Sequence, residues 1–363
     1  MKDTSCLKVL QIGPDIGVRG GVSSVEKLIL SNVSDKIEIS HLSTTYDGNR
    51  VLKIFSGLFS WIILPFKIIR HRPHLVHIHF ASRGSTWRKI PLSLISRFFR
   101  KPVILHSHGA EFREFYLNEC GRIRKLMIRR FLKKAKIVIA LSHSWKSFFV
   151  EHCDILEEKI IVLTNPVDTR KLVPPSQKSH ETELLGIVTN GRMGARKGTY
   201  DCIRAIDSLN NEIKKNIHYS LTGDGENEEV KKLITSMNLE PIIEVHGWLS
   251  DRDLLKIRKK AHVFLLPSYN EGLPMALIEA MSLGLVPIVT PVGGIPEVVK
   301  HMENGIIVKP GDSDEISNSL NVLFSDRNLL RELSINARLS SESFDITNYI
   351  SNLELLYQDF MVH

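Results

Sequence analysis

The sequence predicts an α/β protein made of two doubly wound domains. Three observations carry this. Short β-branched runs alternate with helical stretches along the whole chain. Several of those runs are continuously apolar, as strands buried on both faces of a parallel sheet are. Charge and breaker residues also change together near the middle. Residues 1–175 carry 29 Lys/Arg and 14 Asp/Glu, and the remainder carries 19 and 26. A chain of 363 residues is long enough for two buried cores.

In the first half the expected strands are Lys8–Ile12, Glu38–Leu42, Leu75–Phe80, Val103–His106, Ile137–Leu141 and Ile160–Leu163. In the second half they are Leu185–Thr189, His218–Thr222, Ile243–His246, Val263–Leu266, Val286–Thr290 and Gly305–Val308. Between the halves, Asn165–Glu183 is polar and holds three prolines, so it reads as a linker. The expected domains are therefore 1–170 and 183–343. Residues 344–363, amphipathic from Ile346 to Met361, are expected as a C-terminal helix able to cross back to the N-terminal domain. No repeat of solenoid period is visible.

Composition excludes several classes. With 43% apolar and 24% charged residues, the chain is neither collagen-like nor disordered. Cys6, Cys120, Cys153 and Cys202 are scattered, which argues against a disulfide framework or zinc finger and favours a reducing cytosol. The opening residues show no secretory pattern. The longest uncharged apolar stretch, Ile54–Phe66, has thirteen residues, short of the about 20 that span a bilayer. It reads either as a helix lying on a membrane or as a buried helix.

Ligands of doubly wound sheets sit beyond the carboxyl ends of the strands. Three such loops stand out. Gly13–Gly21, which includes Gly20 and Gly21, leads from a strand into a helix but lacks the G-x-G-x-x-G dinucleotide pattern. Gly191–Gly198 offers Arg192 and Lys197 to a phosphate, although a solvated basic turn would look the same. The third runs from Val263 through Glu271-Gly272-Leu273-Pro274-Met275-Ala276 to Glu279. It reads strand, loop, helix, with the N–H groups of Leu273, Met275 and Ala276 exposed to an anion. Glu271 and Glu279 are eight residues apart, about 12 Å along a helix, too far for a retaining glycosidase pair. They suit the two ends of one long ligand. Glu279 lies among apolar neighbours, and a buried carboxylate there needs a partner.

The run EGLPMALIEAMSLGLVPIVTPVGGIPEVV, with GRMGARKG before it and NGIIVKPGD after it, resembles glycosyltransferase family 4. GVRGGV, VHIHF and HSHGAEF in the first half agree. The resemblance implies the GT-B fold, two Rossmann-like domains facing across a cleft. It implies retaining, metal-independent transfer from a UDP- or GDP-sugar, with no cofactor. It gives Arg192 and Lys197 the donor diphosphate, Glu271 the donor sugar and Glu279 the ribose. Backbone N–H groups after Gly272 would complete the phosphate cradle. His108 would lie against the donor sugar, and Gly20 and Gly21 against the diphosphate or the acceptor. The expected acceptor is a glycan or lipid-linked glycan of cell-surface polysaccharide, the lipid link being what would explain the basic surface of the first half. The family's Asn-Gly-Val-Asp reads Asn165-Pro-Val-Asp here. The competing readings are a catalytically silent sugar-nucleotide-binding or scaffold subunit and a nucleotide-sugar epimerase.

Other features point less far. His71, His74, His77 and His79 resemble a metal tract, but no cysteine or carboxylate cluster accompanies them, so no metal site is expected. Ser142-His143-Ser144 presents no nucleophile with an oriented base. Cations follow Ile54–Phe66, and Arg122–Lys134 interleaves them with apolar residues as an interfacial helix does. The Ile123, Leu126, Met127 and Phe131 stripe suits a membrane or the core. The expected partner is an anionic membrane surface, with the protein peripheral at its cytoplasmic face. Nucleic acid is not expected: no recognition motif is present and aromatics are 7%.

Overall fold

The computed structural model describes residues 6–174 and 184–360. The chain forms two compact units, one of residues up to Pro166 with the chain from Ile346 onward, the other Val167–Asp345. In the first unit, β1 (Leu7–Gly13), β2 (Ile37–Ser43), β3 (Leu75–Phe80), β4 (Val103–Ser107), β5 (Ile137–Ala140) and β6 (Ile160–Val162) form a parallel sheet ordered β2-β1-β3-β4-β5-β6. In the second, β7 (Leu185–Asn190), β8 (Ile217–Thr222), β9 (Ile243–Val245), β10 (Val263–Leu266), β11 (Val286–Val289) and β12 (Ile306–Ile307) are ordered β12-β11-β10-β7-β8-β9. All twelve strands fall on the expected runs, most of them apolar and buried on both faces.

The unit boundary falls after Pro166, four residues before the expected end of the first domain. Val167 bridges Asp345, and Thr169 N–H and Oγ1 donate to the Asp345 carboxylate, so both connecting segments close on the second unit. The remainder of the expected linker, residues 175–183, lies outside the described residues. The Ile346–Gln358 helix belongs to the first unit. Its Glu354 accepts from Ser34 N–H at 2.7 Å, and its Tyr357 hydroxyl meets His77 Nδ1 at 2.6 Å.

Three helices of the first unit bear on its surface and its cavity: α1 (Gly21–Asn32), α2 (Arg50–His71) and α3 (Gly84–Phe98). The helix α2 has 22 residues and is longer than the apolar stretch within it. Asn49 caps its start by accepting from Leu52 N–H at 2.9 Å, and Arg72 ends it in the left-handed region at φ 47°. Lys53 and Lys67 therefore lie inside the helix rather than at its ends. Among the described residues, α2 is the one helix long and apolar enough to cross a membrane. Its inner stripe, Gly57, Ser60, Leu64 and Ile68, is buried. The helix thus has one buried face and one exposed apolar face. The Arg122–Lys133 helix is split likewise: Phe131 is in the core, whereas Ile123, Leu126 and Met127 are exposed.

Candidate functional site

In both sheets the strand order reverses at the first strand of the unit. The reversal lies between β1 and β3 in one sheet and between β7 and β10 in the other. Loops leaving a reversal point diverge and open a crevice. The glycine-rich loop after β1, the Arg192/Lys197 loop after β7 and the Glu271 loop after β10 leave these points, whereas His108 follows β4.

In the second unit, the loop after β7 carries Arg192 and Lys197, and the loop after β10 carries Glu271. Lys197 Nζ donates to Glu271 Oε1, which also accepts from Ser268 Oγ at 2.9 Å. Glu271 is 6% exposed, so this contact holds a carboxylate in a site it could not occupy unpaired. Arg196 Nη1 donates to the Asn270 carbonyl at 2.9 Å, tying the two loops together again. Arg192 is exposed and makes no side-chain hydrogen bond or ion pair among the described residues. A bound anion can therefore take all of its donors.

Glycine shapes the far wall. Gly293 sits at φ 59°, and a Cβ there would stand 2.0 Å from the Glu271 carbonyl oxygen. Gly294 N–H donates to the Gly272 carbonyl at 2.6 Å. The Glu271-Gly272 backbone is thus held from behind. The helix Met275–Ser282 starts immediately after, with Leu273 and Met275 buried and Ala276 partly so. The N–H groups of Met275 and Ala276 have no intrahelical acceptor by helix geometry. Glu279 is 28% exposed in its side chain and has the partner its setting demanded: Arg258 Nη2, at 2.7 Å. Arg258 is buried on the Asp251–Lys260 helix. Nothing in the spacing identifies it, because it comes from another element 21 residues earlier.

In the first unit, the reversal point holds a cavity of about 210 Å³. It is lined by Arg19, Gly20 and Gly21 after β1, Thr44 and Thr45 after β2, Arg88 and Lys89 on α3, and His79. Gly20, at φ 147°, takes a conformation that side chains avoid, and no atom crowds it or Gly21. Lys89 is the residue that sequence reasoning passes over. Its Nζ donates to Thr44 Oγ1, and burial pulls its ammonium down to about 7 despite Glu26 nearby. Glu26 is wholly buried, and burial pushes its carboxyl up. A Cβ at Gly13 would stand 1.4 Å from Glu26 Oε1, so the glycine makes the room the carboxylate occupies.

Beside the cavity four histidines share one sheet face. His79 Nδ1 meets His108 Nε2 at 2.9 Å, and the rings of His106 and His108 lie 4.0 Å apart. Burial lowers all four, His77 and His108 to about 3, so the stack is neutral at physiological pH. His77, His79 and His106 are the one trio of metal-ligand side chains among the described residues, with ligand nitrogens within 4.8 Å of one another. Zinc bonds of about 2.0–2.1 Å would need tetrahedral nitrogens nearer about 3.3 Å. His77 Nδ1 and His79 Nδ1 are engaged by Tyr357 and His108, whereas Nε2 of both and the two ring nitrogens of His106 are buried with no hydrogen-bond partner among the described residues.

The expected residues thus fall into two groups. Arg192, Lys197, Glu271, Gly272, Leu273, Met275, Ala276 and Glu279 belong to the second unit, and Gly20, Gly21 and His108 to the first.

Known proteins match both units. The family described as "Glycosyl transferases group 1" matches residues 174–340, and "Glycosyltransferase Family 4" matches residues 44–171. An Escherichia coli relative, UDP-Gal:alpha-D-GlcNAc-diphosphoundecaprenol alpha-1,3-galactosyltransferase, is 28% identical over 327 residues, covering 86% of this chain and 82% of the relative. N-acetyl-alpha-D-glucosaminyl L-malate synthase of Bacillus anthracis is 24% identical, covering 80% and 76%. Among solved structures, Anabaena HepE in complex with UDP and glucose aligns with a TM-score of 0.77 at 17% identity, covering 97% of this chain and 100% of that one. Sucrose-phosphate synthase from Thermosynechococcus elongatus aligns at 0.81 and 16% identity, covering 98% and 99%. At these identities the structural likeness speaks for the fold alone. Two adjoining family matches, falling on two parallel sheets of this topology, make the chain a glycosyltransferase of family 4, group 1, with the two-domain GT-B type of α/β fold.

Proposed function

We propose that the protein moves a sugar, with retention of configuration, from a UDP- or GDP-sugar to a lipid-linked glycan in cell-surface polysaccharide biosynthesis. The observation that carries the donor half is the set around the β7–β10 reversal: exposed Arg192, the Lys197–Glu271 pair and the N-terminus of the Met275–Ser282 helix. Arg192 and Lys197 hold the diphosphate and take up its charge as the glycosidic bond breaks, work that in other enzymes a metal ion does. Met275 and Ala276 N–H groups add two donors. Glu271 keeps an oxygen for donor-sugar hydroxyls, and Glu279 keeps one for the ribose. His108 is neutral, so any part it takes is as a hydrogen-bond partner and not as a cationic acid. The departing phosphate takes the acceptor proton.

The first unit's cavity takes the acceptor's phosphate. Lys89, Arg88 and Arg19 line it together with Thr44 and Thr45. The Escherichia coli relative, by its name a transferase for a diphosphoundecaprenol-linked sugar, supports this acceptor class. The enzyme then works peripherally, on the cytoplasmic side of a membrane. The test is to supply UDP- and GDP-sugars with a polyprenyl-diphosphate sugar and read the product by NMR. Retention in an acceptor-dependent product is expected. An inverted product contradicts the mechanism. Isomerised nucleotide sugar without acceptor identifies an epimerase, and nucleotide binding without turnover identifies a silent subunit.

A further inference from the structure

The outer face of α2 is apolar where a soluble helix is polar. Val51, Leu52, Ile54, Phe55, Leu58, Phe59, Ile62, Phe66 and Ile69 are all exposed, the three phenylalanines each by more than 60%. At about 100° per residue they form one stripe opposite the buried Gly57-Ser60-Leu64-Ile68 stripe. The neighbouring α3 adds exposed Leu94 and Phe98, the latter 84% exposed. Trp61 Nε1 on α2 donates to the Arg88 carbonyl on α3 at 3.0 Å, so the two helices are tied as one block. A contiguous apolar patch of this kind marks an interaction surface.

Charge decides the partner. From Gly48 to Ala110 the chain has eleven Lys/Arg and no Asp or Glu. Arg70, Arg97, Arg100 and Lys101 of this run are wholly or partly exposed on or just after the two helices. A two-fold dimer through α2 would set this cationic rim against its own copy. An anionic lipid surface supplies what both parts need, hydrocarbon for the rings and headgroup charge for the rim.

We infer that α2, with α3 beside it, is the membrane-docking element: its outer stripe enters the interfacial zone of an anionic bilayer and lies parallel to the surface. It does not cross. α2 connects β2 to β3 within one sheet, and its inner stripe is part of that domain's core. Spanning would strip that stripe from the core and draw Lys53 and Lys67 into hydrocarbon. The Arg122–Lys133 helix, the interfacial candidate in the sequence, exposes only three large apolar residues, whereas α2 exposes nine. The inference rests on the lipid-linked acceptor only for its purpose.

The test is sedimentation of the full chain with vesicles of phosphatidylcholine alone and with phosphatidylglycerol added. Binding to the anionic vesicles that weakens with salt is expected. The Phe55→Ser, Phe59→Ser, Phe66→Ser triple variant is expected to bind about tenfold or more weakly, the scale of returning large apolar side chains to water. These rings are exposed, so the variant keeps its melting temperature and its nucleotide-induced stabilisation, which reports the donor site separately. In Phe59→Trp, the new indole is expected to shift blue and to be quenched by brominated acyl chains. Equal binding by the triple variant, or an indole emission in Phe59→Trp that is indifferent to vesicles, overturns the inference. So does a wild-type dimer that the triple variant dissolves, because it gives the face to self-association.

Discussion

The two units share one device and run it in opposite electrostatic conditions. Each reverses its strand order beside its first strand and hangs charged groups around the diverging loops. In the second unit the buried carboxylate touches its cation, Lys197 against Glu271, and Arg192 stands in solvent. In the first, Lys89 and Glu26 are buried without direct contact, among histidines that burial keeps neutral. The same backbone geometry thus gives a fixed charge pattern in one half and a conditional one in the other. A site that binds and releases an invariant diphosphate suits the first arrangement. A pocket whose cation is fully charged only when an anion arrives suits the second.

The sharpest way to break this contrast is to unpair the fixed site. Lys197→Met leaves Glu271 buried without its main partner and is expected to cost about 3–5 kcal/mol of stability in urea denaturation, with turnover lost. Adding Glu271→Gln should return part of the stability and none of the turnover. Arg192→Ala touches no buried group. It is expected to lower kcat by about 10²-fold or more with the melting temperature unchanged. A variant retaining most of its turnover removes Arg192 from the mechanism. Arg258→Gln takes the partner from Glu279, which is partly solvated, and should cost about 1–3 kcal/mol and weaken nucleotide binding.

The conditional site is exposed by pH. Lys89 releases its proton near about 7 when folded, and the unfolded chain holds it to the ordinary value of 10.5. Between these the unfolded state binds more protons, so this group makes stability rise with pH above 7. Lys89→Met should abolish that rise. Anion binding should recharge Lys89, so phosphate-dependent stabilisation should fall as pH passes 7 and be accompanied by proton uptake. The histidines act at the other end. Their folded values lie below the ordinary 6.5, so the unfolded chain gains protons first and stability falls as pH drops from 6.5 toward 3.

Much of this is legible in the residues. All twelve strands lie on the expected runs, and most of these are continuously apolar because strands covered on both faces need no polar alternation. Arg192, Lys197 and Glu271 are legible because their loops follow such runs directly. What escapes is whatever depends on distant packing. Strand order is not written in any local pattern, and it is what brings the β7 and β10 loops together. Arg258 and Lys89 read as ordinary surface cations within helices. Tyr357 meets His77 across 280 residues. The extent of α2 is underestimated from sequence because Lys53 and Lys67 look like ends. A long lysine stem lets a charged head leave an apolar helix without stopping it.

One measurement bears on the proposed donor site most directly: thermal unfolding of wild type and Arg192→Ala with UDP, GDP or ADP and their common sugar conjugates. A nucleotide at about 100 times its dissociation constant adds about 2.7 kcal/mol of stability. One base is expected to give this shift, and Arg192→Ala to lose it while melting normally alone. Equal shifts in both proteins, or no shift with any nucleotide, would contradict the assignment of the donor site.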